Sequence, residues 1–311
     1  MKLTNPRSRL RTPNQPVPQM RGFSLIELMV SAAVLLVVVG TSVNYIGLVT
    51  RRSKAEQTKV DLTQEGREFV DEFERDIHQA GFPGCADFDT GGTTTCAATP
   101  AAAAATYNNP NIAAGLVSVS YNSIIFEGDV NGDGLVESVQ YRLVDSAGNN
   151  PPANCPCVLQ RSQVQKLVSL TAPTTPALYP QLTSWSQELQ NVVNSGSPAA
   201  NAAYGGGVPI SGNVLFAGGA VTNDAYYAAV ATFRDFPVFS AYDQTGSLVQ
   251  LPLDNSTLAG QQALTTIKTI RLTINLLGST ASGYDLQTKA RPVVTLVGDG
   301  RRNNMMPWET P

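Results

Sequence analysis

The sequence predicts an α+β protein, a long N-terminal helix followed by an antiparallel β-rich head. Three observations carry that expectation. From Phe23 to Thr50 the only charged side chain is Glu27, in a run rich in Leu, Ile and Val. After Thr50 the helical spacing continues but becomes amphipathic. Beyond Gly84 that period gives way to short alternating apolar runs between turn residues. The composition fits: 42% hydrophobic residues exclude a disordered chain, and 14% charged residues fall well below the roughly 25% of ordinary soluble domains.

Charge is unevenly placed. Lys2, Arg7, Arg9, Arg11 and Arg21 put five cations and no acid into the first 22 residues; removing these five from the formal net charge of −3 leaves −8 for the rest. That balance argues against a nucleic-acid-binding surface. The apolar run from Phe23 is long enough to cross a bilayer, which takes roughly 20 apolar residues at ~1.5 Å each. The basic stretch before it is expected to stay cytoplasmic, with the chain after Thr50 outside, although Arg51, Arg52 and Lys54 compete with that orientation. The junction does not read as an ordinary secretory signal, which ends in a small-residue cleavage site.

Here a polar leader ends at Arg21-Gly22 and the apolar run starts at once with Phe23-Ser24-Leu25-Ile26-Glu27-Leu28. These residues resemble the type IV prepilin family, with its Gly-Phe-x-Leu-Ile-Glu signature. The resemblance covers about the first 60 residues. It implies a prepilin peptidase that cuts after Gly22 and methylates Phe23, an inner-membrane location with a periplasmic head, and later a place in a pilus at the cell surface. It also implies partners: the pilus assembly platform and other major and minor pilins, met through the N-terminal helix. Glu27 is the residue implied to set the register between subunits. A lone carboxylate in a spanning helix costs roughly 2.5–3.5 kcal/mol, and a neighbouring subunit's terminal amine would compensate it. The plainer reading is a carboxylate snorkelling to water at the membrane edge.

On the helix after Thr50, Leu62, Phe69, Val70, Phe73, Ile77 and Ala80 form one apolar face. Glu65, Arg67, Glu68, Asp71, Glu72, Glu74, Arg75 and Asp76 are assigned to the solvated side. Gly40, Thr41, Ser42 and Asn44 are expected to weaken the helix midway, and Gly81-Phe82-Pro83-Gly84 to stop it. The resulting division is a leader at 1–22, a helix at 23–80 (transmembrane to 50, amphipathic after) and a head at 81–311. His78, the only histidine, sits on the last helical turn, where it favours the exposed carbonyls.

In the head, Val117-Val119-Tyr121, Ile124-Phe126 and Val139-Tyr141-Leu143 alternate as strands do. Further strands are expected at 158–161, 214–217, 228–233, 267–277 and 292–297, and one short helix at 184–193. Ala/Thr-rich tracts at 93–106 and 195–212 read as surface insertions. The order of the Phe126–Asp129 hairpin, Tyr141-Arg142-Leu143, Leu159-Gln160-Arg161, Phe239–Asp243, Ile267–Leu272 and the closing Arg301-Arg302-Asn303-Asn304 looks like the PilW class of minor pilins. The related J-type pseudopilins of type II secretion share much of that order.

Asp129, Asn131 and Asp133 alternate, with Gly134 sixth, Leu135 seventh and Glu137 ninth, as in a calcium loop. Gln140 stands at the twelfth position and β-type runs flank the loop, so it is not an EF-hand. Either Ca²⁺ binds there, or the stretch is a bare Asn/Asp/Gly hairpin turn; the bare turn is preferred. Cys85, Cys96, Cys155 and Cys157 are expected in disulfides, given an extracytoplasmic head. Three pairings are open, among them Cys85–Cys96 with Cys155–Cys157. A zinc site would lack ligands beyond His78.

No catalytic residues are expected. A hydrolytic triad would have to recruit His78 from an anchoring helix, and Gly205-Gly206-Gly207 lacks a following Lys. The expected function is therefore a structural and assembly subunit. Its alternatives are a type II secretion pseudopilin or a membrane-anchored periplasmic enzyme or binding module.

Overall fold

A computed structural model describes residues 22, 24–88, 110–145, 147–150, 152, 156–166, 184–194, 236–278 and 292–304. The expected tracts at 93–106 and 195–212, and the strands at 214–217 and 228–233, lie outside these. The chain divides into two units, one ending at Thr50 and one beginning at Arg51. Helix α1 spans Leu25–Gln79. It is not interrupted at Gly40; the Thr41 and Ser42 hydroxyls donate to the carbonyl of Val38 and so keep their polar groups on the helix itself. In the first unit its large apolar side chains, Leu25 to Val49, are exposed, and the helix is long and apolar enough to cross a membrane.

The second unit is built on one antiparallel sheet. Its strands are β1 (Leu116–Val119), β2 (Ser123–Gly128), β3 (Glu137–Val144), β4 (Cys157–Gln165), β5 (Ser186–Val192), β6 (Phe239–Asp243), β7 (Leu248–Val249), β8 (Leu253–Asp254), β9 (Ile267–Leu277) and β10 (Val293–Arg301). The order is β7-β6-β9-β5-β4-β3-β2-β1-β8, with β10 also paired to β9. A long apolar helix with a large antiparallel sheet is the α+β layout expected. Phe69, Val70, Phe73, Ile77 and Ala80, on the predicted face of α1, are buried in one cluster with Phe126, Tyr141, Leu159, Phe239, Leu272 and Ile274, and Leu62 packs against it. Gly81 ends the helical run at φ 84°, a conformation glycine adopts without strain.

Two glycines of β10 set how closely α1 lies on it. A Cβ at Gly298 would run into Val70, and one at Gly300 would sit 2.7 Å from the Cβ of Ile77. Gly300→Val is therefore expected to destabilise the chain by about 1–3 kcal/mol through overpacking. A drop in the urea midpoint checks this, and an unchanged midpoint refutes the close approach.

The helix expected at 184–193 is instead strand β5, Ser186–Val192. Leu189, Val192 and Val193 repeat at three and four residues, as on a helix face. A bulge produces that spacing: Asn191 takes φ 57°, the β4–β5 register slips nearby, and the extra residue turns both Leu189 and Val192 into the core. A helix absent from the sequence reading, α2 (Leu258–Thr266), is capped by the Thr257 side chain accepting from the Gly260 N–H.

Strand β5 meets β9 at one residue pair, Val192 with Leu276. Past it, the Val193 N–H donates to Asn275 O. The fully buried Asn194 side chain then accepts from the Asn275 N–H (2.6 Å) and donates to Thr273 O (2.9 Å). A side-chain amide thus makes the bonds that a further peptide of β5 would make.

Candidate functional site

The loop joining β2 to β3 closes on Asp129. Its Oδ1 accepts from the N–H groups of Gly132 (2.7 Å) and Asp133 (3.1 Å), and its Oδ2 from Gly134 (3.0 Å). Asn131 accepts from the Asp133 N–H and donates to the Asp133 carboxylate, which in turn accepts from the Leu135 N–H. Glu137 accepts from the Val130 N–H at 3.1 Å. Gly132 and Gly134 both take positive φ, which the tight path requires. The sequence thus brings Asp129, Asp133 and Glu137 together: one oxygen of each lies within 4.8 Å of the others. Asn131 joins through Asp133, and Leu135 sits exposed on the rim.

Such a set of hard oxygens has the chemistry a calcium ion needs, and the hydrogen bonds alone also close the turn. Burial raises the Glu137 carboxyl above its ordinary range; the Val130 N–H opposes this, while Asp133 and Asp129 add to it. The sign follows. A carboxyl raised on folding contributes stability below its unfolded value near 4.3, and that stability is lost as pH climbs through the folded value. In chelator at pH 7, Glu137→Gln is expected to raise the thermal midpoint, because an amide keeps the Val130 bond without the charge. A lower midpoint would show that the carboxylate is compensated as it stands.

The structure corrects the assignment of Asp76 to the solvated side, since it is buried. The Tyr141 hydroxyl donates to its Oδ2 at 2.7 Å, and Arg161 donates to the same oxygen through Nε (3.0 Å) and a terminal nitrogen (2.7 Å). Glu72 lies 3.6 Å from Arg161. The Tyr141 ring is met edge-on by Phe69 and Phe73 at 5.6 and 5.5 Å. Burial, then the neighbouring Asp76, pushes the Tyr141 phenol well above its ordinary value. Burial alone would lower Arg161, yet Tyr141 and Asp76 outweigh it and hold the guanidinium charged. The signal for this cluster was present: Asp76 falls three residues after Phe73 and one before Ile77, inside the apolar stripe.

A second buried pair also escaped the sequence reading. Lys166 donates to Glu127 at 2.7 Å and to Ile112 O at 2.9 Å, and Glu127 accepts from the Ala114 N–H. Each charge is paired and hydrogen-bonded, as burial demands. Cys85 and Cys157 are each in a disulfide; Cys96 and Cys155 lie outside the described residues. His78, in the last turn of α1, is within 2.9 Å of the Asn303 amide through Nδ1, and its carbonyl accepts from Asn304.

At the N-terminal junction, Gly22 is exposed, and a Cβ built on it meets no atom within 4 Å. Phe23 lies outside the described residues. Hydrogen bonding of the helix begins with Leu28 N–H donating to Ser24 O, which puts Glu27 in the first turn, exposed. A carboxylate there is favoured by the helix dipole.

No curated protein and no solved structure matches the chain. Residues 18–43 match the family model described as the prokaryotic N-terminal methylation motif. With the apolar helix that follows, this motif supports membrane anchoring, processing by a prepilin peptidase and association with other pilins, and it points to a structural subunit and away from an enzyme. The segment from 18 to 43, by its match to the methylation motif, supports a type IV pilin or pseudopilin.

Proposed function

We propose that the chain is a minor pilin of the PilW class: a structural and assembly subunit of a type IV pilus, cut between Gly22 and Phe23 and built in at or near the filament tip. The observation that carries this reading is the methylation motif over residues 18–43 running straight into an unbroken apolar helix. In the proposal that helix stands first in the inner membrane, with the leader cytoplasmic and the head periplasmic, and then in the filament core. Glu27 there pairs with the methylated amine of a neighbouring Phe23, and the matched charges fix the axial step between subunits. The head is the part shown to the outside.

The same motif serves a second reading, a minor pseudopilin of a type II secretion filament. Deletion of the gene separates them: loss of surface pili with secretion intact supports the pilin, and loss of secretion with pili intact replaces it. For the Asp129–Glu137 loop, calcium decides. A thermal midpoint that climbs with millimolar Ca²⁺ but not with Mg²⁺ marks a cation site. Identical curves in calcium and in chelator mark a turn closed by its own bonds.

A further inference from the structure

Cys85 and Cys157 are each in a disulfide, and the four cysteines of the chain allow three pairings. Reach along the described chain decides among them. Cys157 opens β4 and Gln165 closes it, so at ~3.3 Å per residue the two ends stand about 26 Å apart. Gln165 is level with Glu137, and Glu137 with Gly128. The end of α1 is fastened at that same level: the Gly81 N–H donates to Glu127 O, and Phe82 O accepts from the Asp129 N–H. Cys85 follows Phe82 by three residues, which span at most about 11 Å. About 15 Å of strand length therefore separates Cys85 from Cys157 at the least, before the sideways step from β2 to β4 is added. Disulfides join Cα atoms about 4.4–6.8 Å apart and do not bridge more than ~7 Å, so Cys85 cannot reach Cys157. Cys155 stands two residues before Cys157, a span of at most ~7 Å, and so still lies about 8 Å or more from Cys85.

We infer that the disulfides are Cys85–Cys96 and Cys155–Cys157, each cysteine joined to its neighbour in sequence. The described path of the chain suits both rings. The Ala113 N–H donates to Pro83 O, so the chain that leaves α1 at Pro83 is back beside it at Ala113, and the Cys85–Cys96 bond ties a ring at the root of that excursion. At the far end of β4 the chain bends at Pro156. Two residues cover ~7 Å when extended, and a bend shortens that into the range a disulfide bridges. Both bonds form by the same exchange: two thiols give up two electrons and two protons to an oxidising disulfide, which departs as a dithiol. An oxidant that meets the cysteines in chain order makes these pairs directly, with no isomerase needed to reshuffle them. Both rings are local, so neither bond braces one strand against a distant one, and short rings constrain the unfolded chain least. The inference does not depend on whether the filament is a pilus or a secretion pseudopilus.

Tryptic mapping without reductant tests the pairing on the full chain, purified from the membrane in neutral detergent with its free thiols blocked by N-ethylmaleimide. No Lys or Arg lies between Asp76 and Tyr141, or between Leu143 and Gln160. Trypsin therefore releases Cys85 and Cys96 together in the peptide Asp76–Arg142, and Cys155 and Cys157 together in Leu143–Arg161. The expected result is two separate peptides, each lighter by two hydrogens than its reduced form and neither carrying maleimide. In a Cys96→Ala chain, maleimide added in urea should label Cys85 alone, while Leu143–Arg161 stays oxidised. Either crossed pairing, Cys85–Cys155 with Cys96–Cys157 or Cys85–Cys157 with Cys96–Cys155, would hold the two peptides together as one species until reductant is added. Recovery of that species, or of a disulfide-linked dimer of the chain, overturns the inference, as does maleimide on Cys155 or Cys157 in the Cys96→Ala chain.

Discussion

Gly22→Val is expected to leave the leader attached: mass spectrometry of the membrane-bound protein should find the peptide from Lys2 to Arg21 still present, and no methylated Phe23. The effect is close to all-or-none, because an uncut chain has no free amine at Phe23 to offer a neighbour. The structure separates this from a folding defect. Gly22 is exposed, and a Cβ there meets nothing within 4 Å, so the valine variant should unfold at the same denaturant concentration as the parent. What the β-branched side chain disturbs is the peptidase subsite, and Gly22→Ala, which adds only one carbon, should be cut more slowly but still cut. Recovery of the valine chain with a mature, methylated N-terminus would defeat the assignment of the junction.

The second large effect is expected at Asp76. Its removal leaves the Arg161 guanidinium and the Tyr141 hydroxyl without the carboxylate oxygen that both now share. Breaking a buried pair by deleting one partner costs about 3–5 kcal/mol, a large part of the roughly 5–15 kcal/mol that holds a domain folded. Asp76→Ala should therefore lower the urea midpoint steeply. Replacing the pair together, Asp76→Leu with Arg161→Met, should restore much of the loss, since no unpaired charge then remains in the core. Alkali offers an independent reading. The folded Tyr141 phenol ionises well above its ordinary value near 10, so from about pH 10 upward the unfolded chain releases a proton that the folded chain keeps. Stability then falls as pH rises. Tyr141→Phe should flatten that fall. A loss below about 1 kcal/mol in Asp76→Ala would mean that water reaches the cluster.

What could be read from the sequence was whatever is written locally. Strand β9 emerges with the predicted bounds, Ile267 to Leu277, because a long alternating run has one period and one solution. The apolar stripe of α1 was legible for the same reason, as was the Asp129–Glu137 loop, whose oxygens and glycines lie within nine residues. The failures involve partners far along the chain. The place of Asp76 inside the apolar stripe was legible, but its partner was not: Arg161 stands 85 positions away and only folding brings it against the carboxylate. The bulge at Asn191 converts a strand's period into a helix's, and nothing near it in sequence announces the slip. Tyr242, Lys268 and Arg301 likewise become neighbours only when β6, β9 and β10 pair.

The amide of Asn194 acts at the end of β5 as a two-handed clasp, holding the Asn275 N–H and the Thr273 carbonyl of β9 at once. An aspartate in its place would accept from Asn275 but set its second oxygen against the Thr273 carbonyl, and a leucine would leave both backbone groups bare. Among side chains of that size asparagine answers a donor and an acceptor together, so the join tolerates neither its acid nor its apolar counterpart.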